Sequence, residues 1–196
     1  MTNEEFVGKC IKELTINNIS VRFIKRKKRS KIDFNYFCAD TPNPELVINY
    51  FKNDFNRIFN VFVHEYSHFI QWKKQTVCWA NSQNSLGNFS EFLSGQRKNI
   101  SISDIRNIQY LEAECDTIAI NFIKKNKLKV NLEKYIRESN AYILSYNFVK
   151  SQRKFLTSIY KNDVLKTLPN DRIVNSEEIE NGIDAFNEKV LRYFSK

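Results

Sequence analysis

The sequence has very few turn formers: four glycines and three prolines in 196 residues. Sandwiches and barrels need such residues at many corners, so this scarcity argues against them and favours a helix-rich fold. There is no run of eighteen apolar residues, so no transmembrane helix is expected. The first residues, Met1-Thr2-Asn3-Glu4-Glu5, lack the basic start and apolar stretch of a signal peptide, which points to the cytoplasm. The four cysteines, Cys10, Cys38, Cys78 and Cys115, are scattered and form no CxxC pair. They read as buried free thiols in a reducing compartment. Histidine is scarcer still, with two in the chain, His64 and His68.

What is abundant is aromatic and basic. Sixteen Phe and nine Tyr suffice for a sizeable core. The formal charge is +9, from 31 basic and 22 acidic residues. That excess fits an acidic partner such as nucleic acid, and equally fits a Lys-rich solvated surface. The densest run is Lys25-Arg26-Lys27-Lys28-Arg29-Ser30-Lys31. It reads as a phosphate-contacting loop or as a charged hairpin tip that keeps a sheet edge soluble.

Hydrophobic periodicity gives the elements. Phe6, Val7, Cys10, Ile11 and Leu14 share one face of a helix over Asn3 to Leu14. The period then changes to two at Ile19, Val21 and Phe23, and again at Ile32, Phe34, Tyr36 and Cys38. Two alternating runs with a polar link suggest an antiparallel hairpin. Leu46 to Phe51 reads as a third strand. A helix follows from about Phe55 to Trp72, apolar on nearly every side, so it should be buried. Lys73 to Asn99 reads as loop plus a short helix. Ser101 and Asp104 resemble a capping box opening a long helix to about Lys127. Another helix is expected from about Asn131 to Tyr160. Ser176 should cap a last one bearing Ile179, Ile183, Phe186, Val190 and Phe194. The expected fold is α+β: mainly helical, with a small N-terminal three-stranded antiparallel or mixed sheet packed on the Phe55–Trp72 helix. One domain is expected, with a helix and sheet over 1–52, metal-site helices over 53–127 and C-terminal helices over 128–196.

Both histidines lie in His64-Glu65-Tyr66-Ser67-His68, an HExxH motif. Residues four apart on a helix share a face one turn on, so two imidazoles can grip one Zn²⁺. The residue after the first histidine projects beside the metal. A carboxylate there, Glu65, can take a proton from metal-bound water and make it a nucleophile. Two histidines and a glutamate in an apolar helix would be costly without such a purpose.

An open catalytic zinc site needs a third protein ligand. With no third histidine, a carboxylate is sought in Leu111-Glu112-Ala113-Glu114-Cys115-Asp116-Thr117-Ile118-Ala119. At roughly 100° per residue, Glu112 shares a face with Ile105, Ile108, Cys115, Ala119 and Ile123. Glu114 falls opposite, among Ser103, Asn107, Thr117 and Asn121. Glu112 is the inward carboxylate and the expected ligand, with Glu114 the alternative. Asp116, one turn on, is placed to accept from the free ring nitrogen of a metal-bound histidine. Tyr142 and Tyr146, one turn apart on a later helix, are candidate oxyanion donors or wet-tipped core residues.

HExxH followed on a later helix by Glu-x-x-x-Asp resembles the gluzincin group of zincin metallopeptidases. Glu112 to Ala119 is also similar to the Glu-x-x-Ala-Asp/Asn segment of small ImmA/IrrE-type peptidases, with Cys115 in place of alanine. The likeness covers about residues 45 to 125. It implies His64, His68 and Glu112 as zinc ligands, Glu65 as general base, and a small sheet on the active-site helix. The function this implies is zinc-dependent hydrolysis of a peptide or protein substrate. The alternative is a non-catalytic, metal-stabilised binding protein, of phage or regulatory type, associated with nucleic acid through Lys25–Lys31. No membrane partner is expected.

Overall fold

The computed structural model describes residues 1–27, 35–39, 41–51 and 54–193. The chain divides into two units, one of residues 1–75 and 118–130, the other of residues 76–117 and 131–196.

The first unit opens with helix α1 (Asn3–Ile16). Thr2 and Glu5 close a capping box: the Thr2 hydroxyl accepts from the Glu5 amide, and the Glu5 carboxylate accepts from the Thr2 amide. Two otherwise orphaned amides are thereby satisfied. Phe6, Cys10 and Leu14, spaced by four, are buried.

Three strands follow: β1 (Ser20–Lys25), β2 (Tyr36–Cys38) and β3 (Glu45–Tyr50). They form a mixed sheet in the order β1-β3-β2. β1 runs parallel to β3, and β2 runs antiparallel to it. The expected β1–β2 hairpin is therefore corrected, because the two strands are not neighbours. Alternation identifies strands but not their partners. The central place goes to β3, where Leu46, Val47 and Ile48 are consecutive and all buried. A continuous apolar run suits the strand covered on both faces. The stretch holding Ile32 and Phe34 lies outside the described residues.

Helix α2 (Phe55–Lys74) carries the sheet. Asp54 caps it by accepting from the Arg57 amide, and Gln75 ends it in the left-handed region. Phe62 meets Phe23 of β1, and Phe69 and Trp72 meet Phe37 of β2, at ring separations of 5.9 Å. From Phe62 to Gln71 every residue is buried except His64, which is half-buried. The first turn is looser, with Phe55 exposed. On the α1 side, Tyr66 packs against Phe6, and its hydroxyl donates to Glu13 Oε2 at 2.6 Å. Lys73 meets Glu13 Oε1 at 2.8 Å. The fold is thus mainly helical, with a small mixed sheet packed on α2.

The second unit begins with α3 (Val77–Ser94), an eighteen-residue helix where loop and a short helix were expected. Its ends are well marked: Thr76 accepts from the Trp79 amide, and Gly95 takes φ 85°. The periodicity was masked because Ser82 and Ser85 stand on the buried face between Trp79, Phe89 and Phe92. Helix α4 (Ile102–Asn126) starts as expected, with Ser101 accepting from the Asp104 amide at 2.9 Å. Its first sixteen residues belong to this unit and the rest to the first.

Helix α5 (Leu132–Gln152) stops eight residues short of the expected Tyr160. Arg153 turns left-handed at φ 50°, and its guanidinium donates to the Phe92 and Arg97 carbonyls while lying 4.4 Å from the Phe92 ring. A 3-10 turn (Thr157–Tyr160) and a short α6 (Asn162–Leu165) follow. The expected last helix is two, α7 (Ser176–Asn181) and α8 (Asp184–Arg192), broken at Gly182 with φ 79°. Asn175, not Ser176, caps the first, because its side chain accepts from the Glu178 amide. Phe194 lies outside the described residues. Ile179, Phe186 and Val190 pack with Ile143, Leu144 and Val164 of α5 and α6.

Burial works against the charge on Glu13, but hydrogen bonds from Lys73 and Tyr66 outweigh it and hold its carboxyl below the usual value. A carboxyl lowered in the folded state contributes stability above its unfolded pKa of about 4.3, and loses it as pH falls through the folded value. The Glu13 side chain is 39% exposed, so solvent screens the effect, and Glu13→Gln should cost about 0.5 kcal/mol at pH 7 and almost nothing near pH 2. Urea melts at the two pH values check this, and an equal loss at both would refute it.

Candidate metal centre

The HExxH residues occupy the most enclosed stretch of α2. Glu65 is 6% exposed and His68 9% exposed. The two imidazoles lie one turn apart, with centroids 4.8 Å apart and planes at 88°. His68 Nδ1 is 2.8 Å from the side-chain oxygen of Gln71. An amide oxygen only accepts, so Nδ1 is the donor in this contact, and a neutral ring then presents its lone pair on Nε2. That is the tautomer in which a histidine binds a metal through Nε2, with its other nitrogen held by a partner.

His64, His68 and Cys115 each offer one ligand atom, and these atoms all lie within 4.8 Å of one another. Such a group could hold a metal ion. Two nitrogens and a sulfur suit zinc or a similar borderline-soft metal, whereas calcium and magnesium favour oxygen. Cys115 is fully buried. The four cysteines are all free thiols.

The acidic residues of α4 divide by face. Glu112 and Asp116 are 6% and 1% exposed, on the stripe with Ile105, Ile108, Cys115 and Ala119. Glu112 is not in the three-residue donor group; it stands one turn before Cys115 on the same face. Its Oε1 accepts from the Tyr146 hydroxyl at 3.3 Å. Tyr142 and Tyr146 are joined hydroxyl to hydroxyl at 2.8 Å. A phenol has one proton. With the Tyr146 proton directed to Glu112, Tyr142 donates to Tyr146. Burial pushes the Tyr146 phenol well above its ordinary value, so it is a neutral donor.

Asp116 accepts from the buried Tyr135 hydroxyl at 2.8 Å. Glu114 is half-buried, and its Oε2 accepts from the Thr76 hydroxyl at 2.6 Å. The same Thr76 oxygen caps α3, so Glu114 serves a helix start.

Gln71, Tyr135 and the donor role of Cys115 were missed in the sequence. Gln71 was detectable: it is a polar residue three positions after a histidine, in a stretch otherwise apolar. Cys115 stood three residues after Glu112, on a face already identified. Of the basic run, residues 28–31 lie outside the described residues, while Arg26 donates to Asn49 Oδ1 at 2.9 Å. Among the described residues, no helix is long and apolar enough to cross a membrane. Comparison with family models, curated proteins and solved structures finds no match to this chain.

Losing the acceptor on His68 Nδ1 should weaken binding of a divalent metal by about 10–100-fold. Gln71→Met makes that change, and Gln71→Glu, which keeps an acceptor, should restore most of the affinity. Chelator competition measures both. Wild-type affinity in Gln71→Met would contradict the role.

Proposed function

We propose that the chain is a zinc-dependent peptidase in which Glu65 is the general base. The observation that carries this reading is the helical turn on which His64, Glu65 and His68 stand, with Glu65 and His68 buried and His68 Nδ1 held 2.8 Å from the Gln71 amide oxygen. A carboxylate buried beside two imidazoles on one helical turn is the arrangement that a metal-assisted, proton-transferring site uses.

His64 and His68 would hold the zinc, with Glu112 of α4 as the third protein ligand. Glu112 suits that role as a buried carboxylate on an apolar stripe. When bound, zinc would supply Lewis-acid polarisation of a carbonyl and acidify water at its open position. Glu65 would take the proton of the attacking water on its carboxylate and hand it to the leaving amine. The aromatic packing around α2 would keep bulk water from the Glu65 side.

A second reading rests on Cys115, whose thiol belongs to the donor group. Should Cys115 ligate together with His64, His68 and Glu112, four protein ligands would close the site. A closed site is structural rather than catalytic. The chain would then be a metal-stabilised binding protein.

Purified without chelators, the protein should carry about one zinc per chain, as one three-ligand site requires. Glu65→Gln should keep that metal and lose at least about 100-fold of its peptide cleavage, measured on a mixed peptide library by mass spectrometry. Metal-free wild-type protein would end the proposal. Zinc-loaded wild type that leaves the library uncut would favour the closed, structural site.

A further inference from the structure

Helix α5 presents a phenol to Glu112 from a rigid mount. Gln109 of α4 donates to the Ile143 carbonyl at 2.8 Å, in full burial. Arg106 of α4 donates to Asn147 Oδ1 at 2.7 Å. These bonds flank Tyr146 along α5 and fix its register against α4. The Tyr146 ring is itself enclosed, 5.3 Å from Phe89 and 5.2 Å from Phe155. Tyr142 stacks on Phe155 at 5.6 Å and sends its hydroxyl to that of Tyr146. Three aromatic contacts, from Phe89, Phe155 and Tyr142, and one hydrogen bond thus hold a donor whose target is Glu112 Oε1.

A glutamate carboxylate turns freely about its last bond, a broad torsion with little preference of its own. A ligand carboxylate must lose that freedom before it can bind a metal. Held by a phenol through one oxygen, it has lost part of it in advance. We propose that Tyr146, backed by Tyr142, is a positioning residue that fixes the carboxylate of Glu112 for binding a metal ion. This rests on the reading of Glu112 as a zinc ligand. It assigns the tyrosine pair to the ligand rather than to the oxyanion of the substrate, since both protons are already directed along the chain Tyr142–Tyr146–Glu112.

The test is a double-mutant cycle on zinc affinity, measured by chelator competition on the full chain. Tyr146→Phe keeps the ring and its packing, and removes the donor alone. It should weaken zinc binding by about 10-fold, the lower end of the usual effect, because 3.3 Å is long for an O–H···O bond. Tyr142→Phe should weaken it less, since Tyr146 keeps its own proton. In a Glu112→Gln background, Tyr146→Phe should have almost no further effect, because the pair acts as a unit. Unchanged affinity in Tyr146→Phe would overturn the proposal while leaving the peptidase reading intact. The same loss with and without Glu112 would also overturn it, as a merely structural effect. Wild-type affinity in Glu112→Gln would remove Glu112 from the ligands and this inference with it. A wild-type protein that binds no zinc would sink the peptidase reading first.

Discussion

Burying an ionisable group inside an apolar helix is expensive, and α2 does it on a single turn. Glu65 and His68 are nearly closed off from water, among Phe62, Val63, Tyr66 and Phe69. A structure bears that cost where something compensates it. Part of that compensation is the amide oxygen of Gln71, 2.8 Å from His68 Nδ1. It satisfies one ring nitrogen and leaves the lone pair on the other. The aromatic surroundings of α2 enforce the burial.

Each neighbour of α2 contributes to that enclosure by a different kind of contact. The sheet supplies aromatic faces, Phe23 and Phe37, against Phe62 and Phe69. Helix α1 supplies Phe6 and the Glu13 carboxylate, which Tyr66 and Lys73 both reach. Tyr66 sits between the two histidines in sequence, and its hydroxyl is tied to α1. Rotation of α2 about its axis would break that bond and expose the aromatic stripe. The face that carries His64 and His68 is therefore fixed by contacts on the other faces of the same helix.

The helices and the motif were legible because their signals are local. Four-residue spacing in α1, the Ser101 cap of α4 and the HExxH spacing each specify a conformation within one or two turns. The burial of Glu112 and Asp116, and the exposure of Thr117 and Asn121, also followed from helical rotation alone. What depended on distant partners was not legible. The order β1-β3-β2 is decided by which strand is covered on both faces. Helix α3 hid because serines occupy its buried face, where small side chains permit close packing without an apolar signal. The break at Gly182 and the stop at Arg153 turn on positive φ values, and for arginine no sequence rule announces one. Gln71 and the Tyr146–Glu112 contact are single hydrogen bonds, one set by rotamer and the other by a pairing of helices.

The central claim is that the two imidazoles of α2 share one metal ion. Anomalous scattering at the zinc edge from crystals grown without chelator tests it most directly. The expected result is one strong peak about 2.0–2.1 Å from a ring nitrogen of each histidine. No peak there, or histidine side chains turned apart with no common atom between them, would contradict it.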